Sequence, residues 1–283
     1  MSPKSRFGRG LSKLTDTLRS VASGEFQEPL GEQRFVVFAH ARSGSTSFVR
    51  ALERHPRIRV LNEPFSETFT KWNPGEREYH KLVTDERALD EQLDFIYGDV
   101  NGIKVLSYQL PRQLYVHMLR EPSRKVIVVR RANLLQSVVS MMISEQTDVW
   151  HSWDVKGSLD DAYSRLQPLD PDDVRDRIAV LADEIRFYDE VLAERDPSDV
   201  LKVTYEDLYF GSTDRRRELL DDATRLLGLE PVTDEGAEAL LDPSKTKLNS
   251  DATYARVPNA RELDGALGND ENGRLFPLPA ATA

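Results

Sequence analysis

The amino-acid sequence contains no cysteine, which excludes disulfides, thiolate nucleophiles and Cys-ligated zinc together. It has no run approaching the roughly 20 apolar residues that span a bilayer, and its N-terminus lacks the apolar core of a secretory signal. A soluble, unexported, cytoplasmic protein is therefore expected. A surplus of positive charge is missing as well: 38 Lys and Arg stand against 48 Asp and Glu, a net charge of -10. Phosphate backbones are held by excess Lys and Arg, so a general nucleic-acid partner is excluded and any anion site must be local. Internal repeats and low-complexity tracts are also lacking.

What is present is an alternation of short β-branched runs with longer helical patterns, over 283 residues. That alternation is the sign of a parallel sheet covered by helices on both faces, an α/β fold. Strands are expected at 34–39, 58–61, 102–108, 125–131 and 200–204. Helices are expected at 45–54, 85–97, 134–144, 171–195 and 214–227. The fourth helix opens with Asp170 as N-cap, Pro171 in the first helical position, and Asp172 and Asp173 where the helix dipole favours negative charge. Residues 150–169 and those after 269 read as loops, natural places for a substrate lid when they lie at the sheet edge. At the N-terminus Lys4, Arg6, Arg9, Lys13 and Arg19 interleave with Phe7, Leu11, Leu14, Leu18 and Val21. This spacing makes a basic amphipathic helix, suited to packing on the domain or a partner subunit, or to peripheral contact with a membrane surface. The expected division is an N-terminal extension (1–30), a single α/β domain (31–270) and a flexible C-terminal tail (271–283).

One stretch carries chemistry. "HARSGSTSF", residues 40–48, joins the first strand to the first helix. A strand, a turn containing Gly and a helix opening in Ser and Thr make an anion cradle, because the first N–H groups of a helix lack partners and point outward. Gly44 lets the backbone approach an oxyanion, Ser45 and Thr46 add hydroxyl donors, and Arg42 brings a fixed positive charge. The nucleoside-triphosphate loop G-x-x-x-x-G-K-[ST] is not matched, since there is one Gly, no Gly-Lys pair, and the cation precedes the Gly.

The order cation, Ser, Gly, Ser, Thr after a first strand resembles the 5′-phosphosulfate loop of sulfotransferases that use 3′-phosphoadenosine 5′-phosphosulfate (PAPS). "KVIVVRRANLLQSVVSMM", residues 125–142, is similar to the 3′-phosphate site of that family, a strand ending in Arg and a helix with Ser about two turns in. Arg131 and Ser140 fall on those positions; Arg130 and Ser137 are alternatives, because the spacing is one residue longer than in the cytosolic branch. "VLNEPF" (60–65), "NGIKVLSYQL" (101–110) and "VTYEDL" (203–208) resemble further family segments in the same order. The likeness covers residues 34–267 and fits the bacterial or carbohydrate-type branch, because Arg replaces the usual loop Lys.

The resemblance implies a three-layer P-loop-like fold and an enzyme of the EC 2.8.2 type. It implies transfer of a sulfuryl group from PAPS to a hydroxyl of a carbohydrate, glycolipid or other small-molecule acceptor, in line and without a metal. Arg42, Ser43, Gly44, Ser45, Thr46 and Ser47 would hold the 5′-phosphosulfate. Arg42 would stabilise the leaving phosphate electrostatically, since a guanidinium cannot serve as an acid. A base must lie within hydrogen-bond reach of the acceptor proton. Glu63 is the first candidate, at the C-terminal edge where open α/β sheets gather ligands; a purely structural carboxylate is its other reading. His151 competes, between Trp150 and Trp153, which are placed to stack on a sugar. His40 competes too, though it reads as packing at the loop entrance. Lys104 reads either as a sulfate contact or as a solvated strand-end Lys. Lys245, Lys247 and Arg256 match a late basic loop over the 3′-phosphate, or are solvated charges. Tyr205, Glu206 and Asp207 read as a buttress of the fold. His55 reads as a helix-end residue before Pro56, His80 and His117 have no partners at metal-ligand spacing, and no metal is expected. The rival readings are an ATP-dependent P-loop kinase and a non-catalytic nucleotide-binding protein of the same fold.

Overall fold

The computed structural model describes residues 29–72, 75, 77–150, 158–233, 236–242 and 251–277. Strands β1 (Arg34–Ala39), β2 (Val60–Asn62), β3 (Gly102–Leu106), β4 (Arg124–Arg130) and β5 (Val200–Thr204) form a parallel sheet in the order β2-β3-β1-β4-β5. The longer helices are α1 (Ser45–Leu52), α2 (Glu86–Ile96), α3 (Arg112–Arg120), α4 (Leu134–Thr147) and α5 (Pro171–Ala193), followed by α6 (Tyr205–Phe210), α7 (Thr213–Leu226) and α8 (Ala260–Leu267). The chain therefore builds the expected three layers, a central parallel sheet between two sets of helices.

Successive strand residues face opposite sides of a sheet. Val36, Phe38, Ile103, Val105, Val126 and Val128 thus bury against α2, α3 and the second half of α5. Phe35, Val37, Ala39, Ile127, Val129 and Val203 bury against α1, α6 and α7. A third cluster packs α4, the start of α5, Tyr254, α8 and Leu275 together. Caps set the helix starts: Asp170 accepts from the Asp172 N–H ahead of α5, Asp85 from the Ala88 N–H ahead of α2, and Asn133 from the Gln136 N–H ahead of α4.

Several boundaries differ from expectation, each for a local reason. β2 begins at Val60 because the Ile58 N–H turns back to the His55 carbonyl and the Val60 N–H is taken by Glu53. β3 stops at Leu106, where Gln109 Oε1 accepts from the Leu106 N–H. β4 stops at Arg130, so Arg131 stands in the turn before α4. Helix α3 was not expected; its buried Leu114, Tyr115, Met118 and Leu119 are two adjacent pairs four residues apart, which occupy one helical face. Within 150–169, expected as loop, Leu159–Tyr163 forms a helical turn capped by Ser158. The start of the expected flexible tail is tied down: Leu275 is buried, and Gln136 Nε2 donates to the Arg274 and Leu275 carbonyls. The N-terminal amphipathic stretch lies outside the described residues.

Gly102 opens β3 directly against Phe35, and a Cβ there would overlap the buried phenyl ring. Overpacking a core costs about 1–3 kcal/mol. Gly102→Ala is expected to lower the unfolding free energy by that amount in chemical denaturation, with secondary structure unchanged in circular dichroism.

Candidate functional site

β1 ends at the centre of the sheet, with β3 on one side and β4 on the other. The chain runs from β1 to β2 and β3 on one flank and then to β4 and β5 on the other, so the loop after β1 opens at the point where strand order reverses. Open α/β sheets bind ligands at such a crevice. Residues 40–44 fill it. Arg42 and Gly44 both have left-handed backbones, φ 62° and φ 78°. Gly44 is required twice over: its φ is positive, and a Cβ would overlap the Tyr209 ring. It is also the N-cap of α1 and supplies no side-chain cap, so the first-turn N–H groups of this helix stay open to a ligand.

Arg42 carries its positive φ with two hydrogen bonds, from Nε to Ser140 Oγ at 3.0 Å and from a terminal nitrogen to the Trp150 carbonyl at 2.6 Å. Burial draws its pKa below the usual Arg value, with Tyr254, Arg131, Tyr163 and Tyr205 in electrostatic reach. The group remains a cation all the same. Arg131 is 3 % exposed; its guanidinium lies 4.1 Å over the Tyr205 ring and donates to Gln136 Oε1. Neither guanidinium forms an ion pair with a carboxylate among the described residues. Arg130, the alternative, goes elsewhere: it shares the parity of Val126 and Val128, faces α5 and pairs with Asp189 at 2.5 Å. Ser137 is buried on α4, but it is Ser140 that meets Arg42. The loop and the β4–α4 turn thus bring Arg42, Arg131 and Ser140 together.

On the other flank Glu63, φ 55°, follows β2, and its N–H donates to the Lys104 carbonyl at 2.7 Å. Its Oε1 accepts from Lys104 Nζ at 2.6 Å and its Oε2 from Gln109 Nε2 at 2.8 Å. Lys104 Nζ also donates to Thr46 Oγ1 at 2.9 Å. A continuous chain therefore runs from Gln109 through Glu63 and Lys104 to the first turn of α1. Lys104, read as a sulfate contact or a solvated strand end, is 1 % exposed and not solvated. Tyr108 stands exposed on this flank.

The remaining expected site residues separate. His40 is buried edge-on to Phe38, with Nε2 3.7 Å from Glu184 Oε2, on the α5 face and away from Glu63. Arg256 pairs with Asp160 at 2.5 Å on the surface. His151, Lys245 and Lys247 lie outside the described residues. Glu206 accepts from the Ala132 and Asn133 N–H groups, and Asp207 pairs with Thr204 and Arg215, so both brace the turn before α4 and the start of α6. Sequence reading missed Tyr163, Tyr254 and Gln109; in the stretch 245–256 only the cations stood out, and the tyrosine among them did not. A groove of 640 Å³ lined by Glu86, Arg112, His117, Arg120 and Phe187 shares no residue with this cluster.

No family model and no curated protein sequence matches the chain. Among solved structures it is similar to the sulfotransferase domain of the Synechococcus PCC 7002 olefin synthase, at 18 % identity and a TM-score of 0.43, over 90 % of this chain and 92 % of that one.

Burial, then the Arg130 charge, lowers the His40 pKa to about 4 from 6.5. Between those values the unfolded chain binds a proton that the folded chain refuses, so stability is full above pH 6.5 and falls as pH drops toward 4. At 1.36 kcal/mol per unit the loss approaches about 3 kcal/mol. Urea denaturation of the protein and of His40→Gln at pH 7 and pH 4.5 should show the smaller pH dependence in the variant. Equal dependence in both would place the titration elsewhere.

Proposed function

We propose that the protein is a sulfotransferase that moves a sulfuryl group from PAPS to an acceptor hydroxyl. The observation that carries this reading is a pair of guanidinium groups, half-buried Arg42 and buried Arg131, that form no ion pair among the described residues and stand by the uncapped N-terminus of α1. Two cations and a row of free N–H groups suit a ligand with two anionic centres, such as an adenosine carrying phosphate at both 3′ and 5′ positions. The residues fit it. Ser43 Oγ and Arg131 Nε are buried polar atoms with no partner among the described residues, and both can donate to phosphate oxygen. Arg131 and Ser140 hold the 3′-phosphate, and residues 42–47 hold the 5′-phosphosulfate.

Glu63 is the base. It takes the acceptor proton as the acceptor oxygen forms a bond to sulfur, while the bond from sulfur to the phosphate oxygen breaks. Each Glu63 oxygen has a lone pair beyond the one given to Lys104 or Gln109, and the side chain keeps an exposed edge. Arg42 and the α1 N–H groups stabilise the charge that collects on the leaving phosphate. Lys104, anchored to Thr46 and Glu63, offsets charge on the sulfuryl oxygens. Positioning and charge stabilisation supply the rate, as in phosphoryl transfer. The acceptor is a small molecule or glycan whose hydroxyl reaches Glu63 past Tyr108.

Calorimetry should find tight binding of adenosine 3′,5′-bisphosphate without magnesium, and much weaker binding of ADP with magnesium. The opposite preference would replace this reading with an ATP-dependent kinase. Glu63→Gln should slow transfer by about 10²–10⁴-fold and leave bisphosphate affinity within error. A fully active Glu63→Gln protein would move the base role to another group. Arg42→Ala should abolish turnover in a protein that remains folded.

A further inference from the structure

Tyr254 ends a helical turn, Asp251–Tyr254, and its ring packs into the cluster formed by Leu135, Val139 and Leu263. The residue is 0 % exposed, and its hydroxyl has no hydrogen-bond partner among the described residues. Burying a hydroxyl without a partner is costly, and native proteins seldom tolerate it without a reason. The surroundings supply one. The phenol is within electrostatic reach of Arg42, Tyr163 and Tyr205, and Tyr205 carries Arg131 on its face. Two other buried polar atoms in this region, Ser43 Oγ and Arg131 Nε, are likewise unpartnered.

The chemistry of these three atoms narrows the missing partner. Arg131 Nε can only donate, whereas a Ser or Tyr hydroxyl can donate or accept. The partner that each of them lacks can in every case be a hydrogen-bond acceptor, and the guanidinium groups nearby favour a negative one. An oxyanion such as phosphate meets both conditions. We infer that the Tyr254 hydroxyl is a ligand of the nucleotide, donating to one of its two phosphates beside Arg42. The inference rests on the reading of the site as one for an adenosine bisphosphate. It gives the C-terminal segment a direct part in binding, in addition to its packing on α4.

Tyr254→Phe removes the hydroxyl and keeps the ring, and two measurements on the full chain test the inference. In denaturation without ligand the variant should be as stable as the parent protein or more so, because the hydroxyl has no partner to lose. In calorimetric titration it should bind adenosine 3′,5′-bisphosphate about 10- to 100-fold more weakly, the worth of a hydrogen bond to a charged group. Adenosine 5′-phosphate serves as the second probe. A loss confined to the bisphosphate puts the hydroxyl on the 3′-phosphate, and a loss for both nucleotides puts it on the 5′-phosphate; either supports the inference. Unchanged bisphosphate affinity in the variant, with tight binding by the parent, overturns the role of Tyr254 and leaves the nucleotide reading standing. A variant that loses stability without ligand and keeps its affinity shows a structural hydroxyl and overturns it equally. Failure of the parent protein to bind either nucleotide overturns both readings.

Discussion

Arg42 lies within electrostatic reach of three tyrosines and Arg131 lies over one of them, and neither forms an ion pair with a described carboxylate, although removing a charge from water costs several kcal/mol when nothing compensates it. Elsewhere in the protein the same cost is met inside the fold. Arg130 has Asp189, Lys125 has Asp199 and Lys104 has Glu63. The exception at Arg42 is reinforced by its backbone, since a non-glycine residue in the left-handed region costs about 1 kcal/mol more. Two polar contacts, to Ser140 and to the Trp150 carbonyl, hold the side chain in place without removing its charge. On the proposed reading these two cations, unlike Arg130, Lys125 and Lys104, are left for an external anion.

Sheet register converts this constraint into a site. Ala39 lies level with Leu106 and Val129, so the loop that follows β1 starts between the ends of β3 and β4. Lys104 lies level with Val37 and with Asn62, which puts Glu63 one step beyond the strand beside it. Arg130 keeps register with Thr204 and is held by the ladder, whereas Arg131, one residue later, is free to turn over α6 toward Tyr205. The site is therefore assembled from residues at or just past strand ends, where the rigid sheet fixes position and the turn permits an unusual side-chain direction.

The same feature explains what the sequence disclosed. A buried parallel strand reads as a compact apolar run between turn residues, so β1 was legible to the residue, and the half-exposed edge strand β5 was legible by its β-branched Val and Thr. The run of small residues at 43–47 was legible as an anion loop because its spacing is local. Arg130 and Arg131 could not be separated by spacing, since the outcome depends on where β4 ends, which the pairing with β5 decides. Parity would have placed Arg130 with Val126 and Val128, had that boundary been known. Lys104 looked like a strand-end charge because its partners, Glu63 and Thr46, are 41 and 58 residues away in sequence. Tyr254 was invisible for a related reason. It lies in a stretch without periodicity, and its meaning comes entirely from the guanidinium groups that the fold brings to it.

The contrast between Lys104 and Arg42 has a mechanistic consequence. In the resting protein Glu63 balances Lys104, so that side of the site is near neutral and does not compete with Arg42 and Arg131 for the anionic ligand. If Glu63 is the base, the proton it accepts removes its charge, and Lys104 is left without a counter-ion at 1 % exposure. This happens as negative charge develops on the oxygens in transit. A cation silent in the ground state then becomes effective in the transition state, which is the condition under which an interaction accelerates a reaction and does not merely tighten binding. Thr46 keeps the ammonium group directed toward the first turn of α1 throughout. On the proposed mechanism one carboxylate would serve two functions that cannot be assigned separately: it would hold the lysine in position while the charge is not needed, and release it by the act of proton transfer.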